Sequence, residues 1–206
     1  MKKIKFLALF LLLSLGIKAQ AVQTFSVNIY GGYSFSDKIE YEYSRAYVED
    51  AFQYGVGLEY FLRNHNSIEI KYLREDTRLP LYGGPLGMQL NAGDDKGALN
   101  FILVEGTHYF DRPSSKVAPF IGGGLGLGIL ETPQSGNDTN FAWDIKAGVK
   151  IKTNSAVSVN LHAYLQSMTA AVGDSYYWTY FGIVGVTDYV STFQFGLGGV
   201  ISFNIK

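Results

Sequence analysis

The chain has 206 residues, with 17 basic and 18 acidic side chains, 24 Gly, 15 Tyr, 14 Phe and no Cys. That length suits one domain. The missing cysteines exclude a disulfide framework, and no apolar run of ~18 residues follows the N-terminal segment, which excludes a helical membrane protein while remaining compatible with membrane-spanning strands.

Residues Met1 to Ala19 carry Lys2, Lys3 and Lys5, an apolar run from Phe6 to Leu13, and a less apolar end at Gly16-Ile17-Lys18-Ala19. This order is that of a secretory signal peptide, with cleavage expected between Ala19 and Gln20. The run is too short for the ~20 residues of a spanning helix, so a membrane anchor is the weaker reading. The mature chain, 20–206, then has 13 basic against 18 acidic residues, a net charge of −5. No basic stripe is present to displace counterions from phosphate, so a nucleic-acid partner is not expected.

The mature chain reads as strands of period two. Val22 to Phe35 places Val27, Ile29, Tyr33 and Phe35 on one face, with Ser26, Asn28 and Ser34 on the other. Phe52 to Leu62 sets six apolar residues against Gln53, Gly55, Gly57 and Glu59. After the turn Arg63 to Asn66 come Ile68, Ile70 and Tyr72, opposed by Glu69 and Lys71. Leu99 to Phe110 is apolar on both faces for part of its length, with Ile102 and Val104 read outward and Glu105 inward. Val117 to Leu130 alternates apolar residues with Gly122, Gly124, Gly126 and Gly128.

The clearest hairpin is Phe141 to Gln166. Phe141, Trp143, Ile145, Ala147, Val149 and Ile151 oppose Asp144, Lys146, Gly148 and Lys150. Beyond Thr153-Asn154-Ser155, Val157, Val159, Leu161, Ala163 and Leu165 oppose Ser158, Asn160, His162, Tyr164 and Gln166. The last strand, Val190 to Ile205, opposes Phe193, Phe195, Leu197, Ile201, Phe203 and Ile205 to Gln194, Gly196, Gly198, Ser202 and Asn204. The connections alternate. Arg63 to Asn66, Asp111 to Lys116 and Thr153 to Ala156 are short, whereas Ser36 to Asp50, Glu75 to Gly97, Glu131 to Asn140 and Ser167 to Tyr189 are long.

Eight strands, apolar outer faces and alternating loop lengths predict an all-β, antiparallel, up-and-down transmembrane β-barrel of the bacterial outer membrane, with periplasmic termini and short turns, and extracellular long loops. A soluble lipocalin-like barrel would invert the faces, leaving Lys146, Lys150, Glu59 and Glu69 in water and an aromatic interior.

The segments Gly55-Val56-Gly57-Leu58-Glu59-Tyr60-Phe61, Ala118-Pro119-Phe120-Ile121-Gly122-Gly123-Gly124-Leu125-Gly126-Leu127-Gly128 and Phe195-Gly196-Leu197-Gly198-Gly199-Val200-Ile201-Ser202-Phe203 resemble the small eight-stranded outer-membrane barrels of the OmpA-like and OmpW-like group. The resemblance covers essentially all of the mature chain. It implies a monomer in outer-membrane lipid and lipopolysaccharide, inserted by the barrel assembly machinery through a final-strand signal that Gly198, Ile201 and Phe203 match. The ending Phe203-Asn204-Ile205-Lys206 departs from the aromatic terminus of that signal. No counterpart of the peptidoglycan-binding domain of full-length OmpA-type proteins follows the last strand, and wall anchoring is not expected.

The inward faces bring Glu59, Glu69, Lys71, Glu105, Asp144, Lys146, Lys150 and His162 into a lumen just wide enough to be filled by side chains. Such charges pair or stay hydrated, because an isolated buried charge is costly, so a salt-bridged plug is expected. Register counted from the turns pairs Lys71 with Glu105 and sets Lys146 beside His162. Enzymatic activity is not expected. A lipid deacylase needs a Ser nucleophile beside a lipid-facing His, whereas His162 faces inward and position 164 is Tyr. His65, His108 and His162 have no mutual spacing that calls for a metal, and no cofactor motif is present. Tyr176, Tyr177, Trp178, Tyr180 and Phe181 form either the outer aromatic girdle or a surface contact, with the girdle favoured. Two functions remain open: a structural or surface-interaction barrel, and a porin-like channel or carrier for small or hydrophobic solutes of the OmpW kind.

Overall fold

The computed structural model describes residues 25–205 except 41–43, 64, 84–86, 94, 113–114, 133–135, 154 and 180–181; side chains at 39, 40, 44, 63, 136 and 170–190 are also outside the description. The expected signal peptide, 1–19, lies outside it. Among the described residues every regular element is a strand: β1 (Phe25–Ser34), β2 (Asp37–Glu40), β3 (Ser44–Val48), β4 (Ala51–Arg63), β5 (Asn66–Arg78), β6 (Leu81–Gly83), β7 (Met88–Gln89), β8 (Lys96–Tyr109), β9 (Val117–Thr132), β10 (Gly136–Lys152), β11 (Val157–Thr179), β12 (Gly182–Ser191) and β13 (Gln194–Ile205).

Eight of these form the wall in the order β10-β9-β8-β5-β4-β1-β13-β11, and β11 pairs back with β10 to close it. All wall pairs are antiparallel. Closure removes both sheet edges, so every ladder group has a partner without water. The stagger follows from register. Lys71 leads through Leu103 and Gly126 to Ala142 on β10, and in the other direction through Gly57, Asn28, Ser202 and Ser158 to Lys152 on the same strand. The circuit is displaced by ten residues. Eight strands with that shear, at the usual strand spacings, tilt about 40° and enclose a backbone radius of about 8 Å. Side chains can fill such a tube.

The outer surface is apolar because alternate residues of each strand share it. Val56, Leu58, Ile70, Val104, Ile121, Leu125, Ile145, Leu161 and Leu197 are all exposed. Aromatic residues mark both ends of this belt, with Phe25 against Tyr60 toward the short turns, and Phe35 against Phe195 and Trp143 against Phe193 toward the long connections. On β5 the outward face then turns polar at Arg74, where the guanidinium bridges Asp76 and Glu131 while Tyr54 and Tyr72 donate to Asp76 and Asn100.

The long connections are more regular than the sequence predicts. β9 runs to Thr132 and β10 starts at Gly136, so most of Glu131 to Asn140 is ladder. β11 continues past its last β10 partner, Thr169, and pairs with β12 as a projecting hairpin. Ser36 to Asp50 and Glu75 to Gly97 contribute β2, β3, β6 and β7, a four-stranded sheet at the same end. Glu75 itself belongs to β5. Ladder hydrogen bonds recur wherever two strands leave the wall side by side, because unpaired backbone groups are costly. The faces invert on the way: Ala51 is the last inward residue of β4, and the next buried position is Val48 rather than Glu49. Val48 joins Leu73, Leu99 and Phe101 in the barrel core, with Leu79 packed against them.

Candidate functional site: a filled lumen

Glu59, Glu69 and Glu105 are consecutive register partners on β4, β5 and β8, a row of three carboxylates that folding could not assemble without compensating donors. Lys71, one inward step along β5, donates to Glu105 and to Asp144 at 2.6 Å. Lys146 on β10 bridges Glu105 and approaches Glu69 at 3.8 Å. Lys71, Lys146, Glu105, Glu69 and Asp144 therefore form one connected cluster across the tube, with Glu105 wholly buried and Lys71 3% exposed. The diagonal reach of the lysine stems explains why Lys71 finds Glu105 although its direct register partner is Leu103.

Closer to the short turns, Glu59 has a looser cation. The Lys150 ammonium stands 4.0 Å from it and lies over the rings of Phe61 and Tyr109 at 4.8 and 4.9 Å. Neutral donors complete the shell. Ser67 and Tyr109 hydroxyls donate to Glu59, Tyr30 donates to Glu69 at 2.6 Å, Asn28 donates to both, and Thr107 donates to Glu105. Hydrogen bonds to a carboxylate stabilise its charged form, which matters here because the lumen acids outnumber the lumen lysines.

His162 corrects the expectation. It is inside the barrel, but it has no ion pair among the described residues and its Nδ1 has no hydrogen-bond partner. Its ring instead meets those of Tyr30, Phe120 and Tyr164 at 6.4, 6.4 and 5.7 Å. The cause is the turn. Ser155 N donates to Thr153 Oγ1 and Val157 N to Ser155 Oγ, so the ladder begins at Lys152 opposite Ser158. Lys146 thereby faces Tyr164, and His162 faces Gly148.

A second closure lies toward the long connections, and the sequence reading did not assemble it. Gln53 donates to Gln166 at 2.9 Å, Gln166 to Gln194 at 3.2 Å, and Gln194 to Glu75 at 2.8 Å, while Ser34 donates to the other Glu75 oxygen at 2.6 Å. The chain of amides crosses the tube from β4 to β11 and returns through β13 to β5. Leu99, Phe101 and Met168 fill the remaining section. The signal for it in the sequence is the continued alternation Glu69, Lys71, Leu73, Glu75, Thr77, which extends β5 past Tyr72 to Arg78.

Inward glycines make room for these groups. A Cβ on Gly57 would lie 2.0 Å from Glu69 Oε1, one on Gly124 2.6 Å from Asp144 Oδ1, and one on Gly196 2.2 Å from the Tyr164 ring. The alternation of Gly with apolar residues is thus the imprint of large polar side chains on facing strands.

The remaining sites have simpler placements. Ile201 and Phe203 are on the outer face of β13 and Gly198 lies beneath the His162 ring. Tyr176, Tyr177 and Trp178 belong to the β11 extension, with side chains outside the description, and Tyr180 and Phe181 lie outside the described residues. Among the described residues no group of three or more His, Cys, Asp or Glu side chains could hold a metal.

A family model, Outer membrane protein beta-barrel domain, matches residues 6–199. Neisserial surface protein A is similar in structure, with a TM-score of 0.58 and 14% identity over 87% of this chain and 96% of that one. The outer membrane protein OprG from Pseudomonas aeruginosa follows at 0.54 and 12%, covering 87% and 95%. AlkL in lipid bilayers gives 0.52 and 13%, covering 92% and 93%. No curated protein matches by sequence. The match over most of the chain, together with a closed eight-stranded wall and its apolar belt, shows that the chain belongs to the outer membrane protein beta-barrel domain family and resides in the Gram-negative outer membrane.

Proposed function

We propose that the protein is a closed, non-enzymatic barrel that serves as a structural and surface-interaction element of the outer membrane, with its long connections extracellular and its termini and short turns periplasmic. One observation carries this reading: paired side chains span the lumen at two levels, in the Lys71-Lys146-Glu105-Glu69-Asp144 cluster and in the Gln53-Gln166-Gln194-Glu75 chain. Desolvating a permeant ion past paired charges and hydrogen-bonded amides is unfavourable. The projecting strands at the loop end supply the interaction surface, and lipopolysaccharide is the lipid they stand in. Insertion through the barrel assembly machinery, read from Gly198, Ile201 and Phe203, and a monomeric state belong to the same proposal.

The channel reading has one observation in its favour. Among the described residues, Asn28 Oδ1, Ser158 Oγ, Asn160 Oδ1 and His162 Nδ1 are buried without partners, which suits water in the lumen around them. Planar-bilayer recording separates the two. The closed barrel gives no steady conductance at neutral pH, and a wild-type pore would establish the channel.

A further inference from the structure

The four-stranded sheet at the loop end has a cavity of about 620 Å³ on the side opposite Val48 and Leu79, which pack onto the barrel core. Arg45, Tyr47 and Glu49 come to it from β3 and its C-terminal edge, Pro80 and Tyr82 from β6 and the residue before it, and Ser36 from the link between β1 and β2. Register places them together. Arg45 pairs directly with Tyr82, and the backbone N–H groups of Tyr47 and Glu49 donate to the carbonyls of Pro80 and Arg78. The two tyrosine rings meet edge to face, 5.8 Å apart.

The lining is underused by the protein. Among the described residues, the Arg45 guanidinium has no ion pair, and the hydroxyls of Tyr47 and Tyr82 have no hydrogen bond. Glu49 has only a loose pair, 3.9 Å from Arg78. Asp50 also borders the cavity, but its carboxylate accepts the Tyr33 hydroxyl. The volume falls within the range of small-molecule sites.

We infer that this cavity binds an uncharged, hydroxyl-rich ligand, a saccharide unit, at the outer end of the barrel. The lining disfavours apolar, polyanionic and cationic ligands. An apolar solute would strip water from Arg45 and Glu49 without replacing it. A polyanion meets Glu49 and Asp50, and a cation meets Arg45. A pyranose presents a C–H face to a tyrosine ring, and its hydroxyls, which both donate and accept, suit a guanidinium at one end of the Tyr47 position and a carboxylate at the other. A bound saccharide would use Arg45, Tyr47 and Tyr82, which have no polar side-chain partner among the described residues, and the loosely paired Glu49.

This site deepens the surface-interaction reading and rests on it. The test is saturation-transfer NMR and calorimetry on the full protein in lipid nanodiscs, with maltotriose and triacetylchitotriose as probes. At least one probe binds the wild type. Tyr47→Ala and Tyr82→Ala each weaken it tenfold or more, Arg45→Gln weakens it severalfold, and Tyr47→Phe retains most of it because the ring remains. Heat-modifiable gel mobility verifies that each variant still forms the barrel. Absence of transfer from both probes, or undiminished binding by the Tyr47→Ala/Tyr82→Ala double variant, overturns the inference. Steady conductance with saccharide binding intact would overturn the closed lumen alone, whereas a silent barrel without saccharide binding would overturn the site alone.

Discussion

Replacing Lys71 with Met tests the plug most sharply, because the two acids it serves differ in what they keep. Without Lys71, Glu105 retains Lys146 and the Thr107 hydroxyl. Asp144 loses its one ion pair among the described residues, and its Oδ1 already lacks a partner. Removing one member of a buried pair costs about 3–5 kcal/mol, and Lys71→Met should fall at the upper end because two carboxylates lose a cation. Asp144→Asn alone should cost about 1 kcal/mol, since Lys71 remains bound to Glu105 and the amide keeps the shape. The Lys71→Met/Asp144→Asn double variant should recover about 2 kcal/mol or more of the lysine loss. Lys71→Met/Glu105→Gln should recover less, because Asp144 stays charged and alone. The assay is urea unfolding in lipid vesicles, followed by unboiled gel mobility and by the fluorescence of Trp143, the residue before Asp144. Additivity of the Lys71 and Asp144 effects to within about 0.5 kcal/mol would mean that the two side chains do not interact, and the plug as drawn would be wrong.

Leu161 lies on the lipid-facing side of β11; Leu161→Arg should cost about 2–4 kcal/mol in the same assay, and a neutral result would put that face in water. A Cβ on Gly126 would approach the Ile102 carbonyl oxygen at 2.0 Å, whereas one on Gly106 meets nothing within 4 Å. Gly126→Ala should therefore destabilise by about 1–3 kcal/mol through a forced ladder shift, with Gly106→Ala close to neutral; equal effects would show that the wall relaxes freely. At the loop end, the hydrogen bond from Arg78 holds the Asp95 carboxyl below the usual carboxylate range. A depressed folded value means that the pair stabilises the loop above the unfolded value of about 3.9 and ceases to do so as pH falls through the lower folded one. Leu79 N donates to Asp95 O, so exchange protection at Leu79 should differ between wild type and Arg78→Gln at pH 6 and converge in acid. A difference that persists in acid would remove the pair from the explanation.

Period-two alternation determined the barrel from sequence alone, because a strand offers only two faces and every wall strand must turn its apolar one to lipid. Ile145 and Lys146 are assigned to opposite sides by that rule without reference to any partner. The same rule put Glu59, Glu69, Lys71, Glu105, Asp144, Lys146 and Lys150 inside. Partner choice is a different quantity, set by shear and by turn geometry that the alternation does not encode. The hydroxyls of Thr153 and Ser155 delay the β10–β11 ladder, and that sets His162 opposite Gly148 rather than Lys146, in an aromatic setting. Shear likewise let Lys71 reach Asp144, which is 73 residues away in sequence. The glutamine chain needed the closed tube, since Gln53 and Gln166 meet only across the lumen. The cavity beside Arg45 needed the face inversion between Ala51 and Val48, a backbone event at the end of the wall where the lipid no longer dictates which side is apolar.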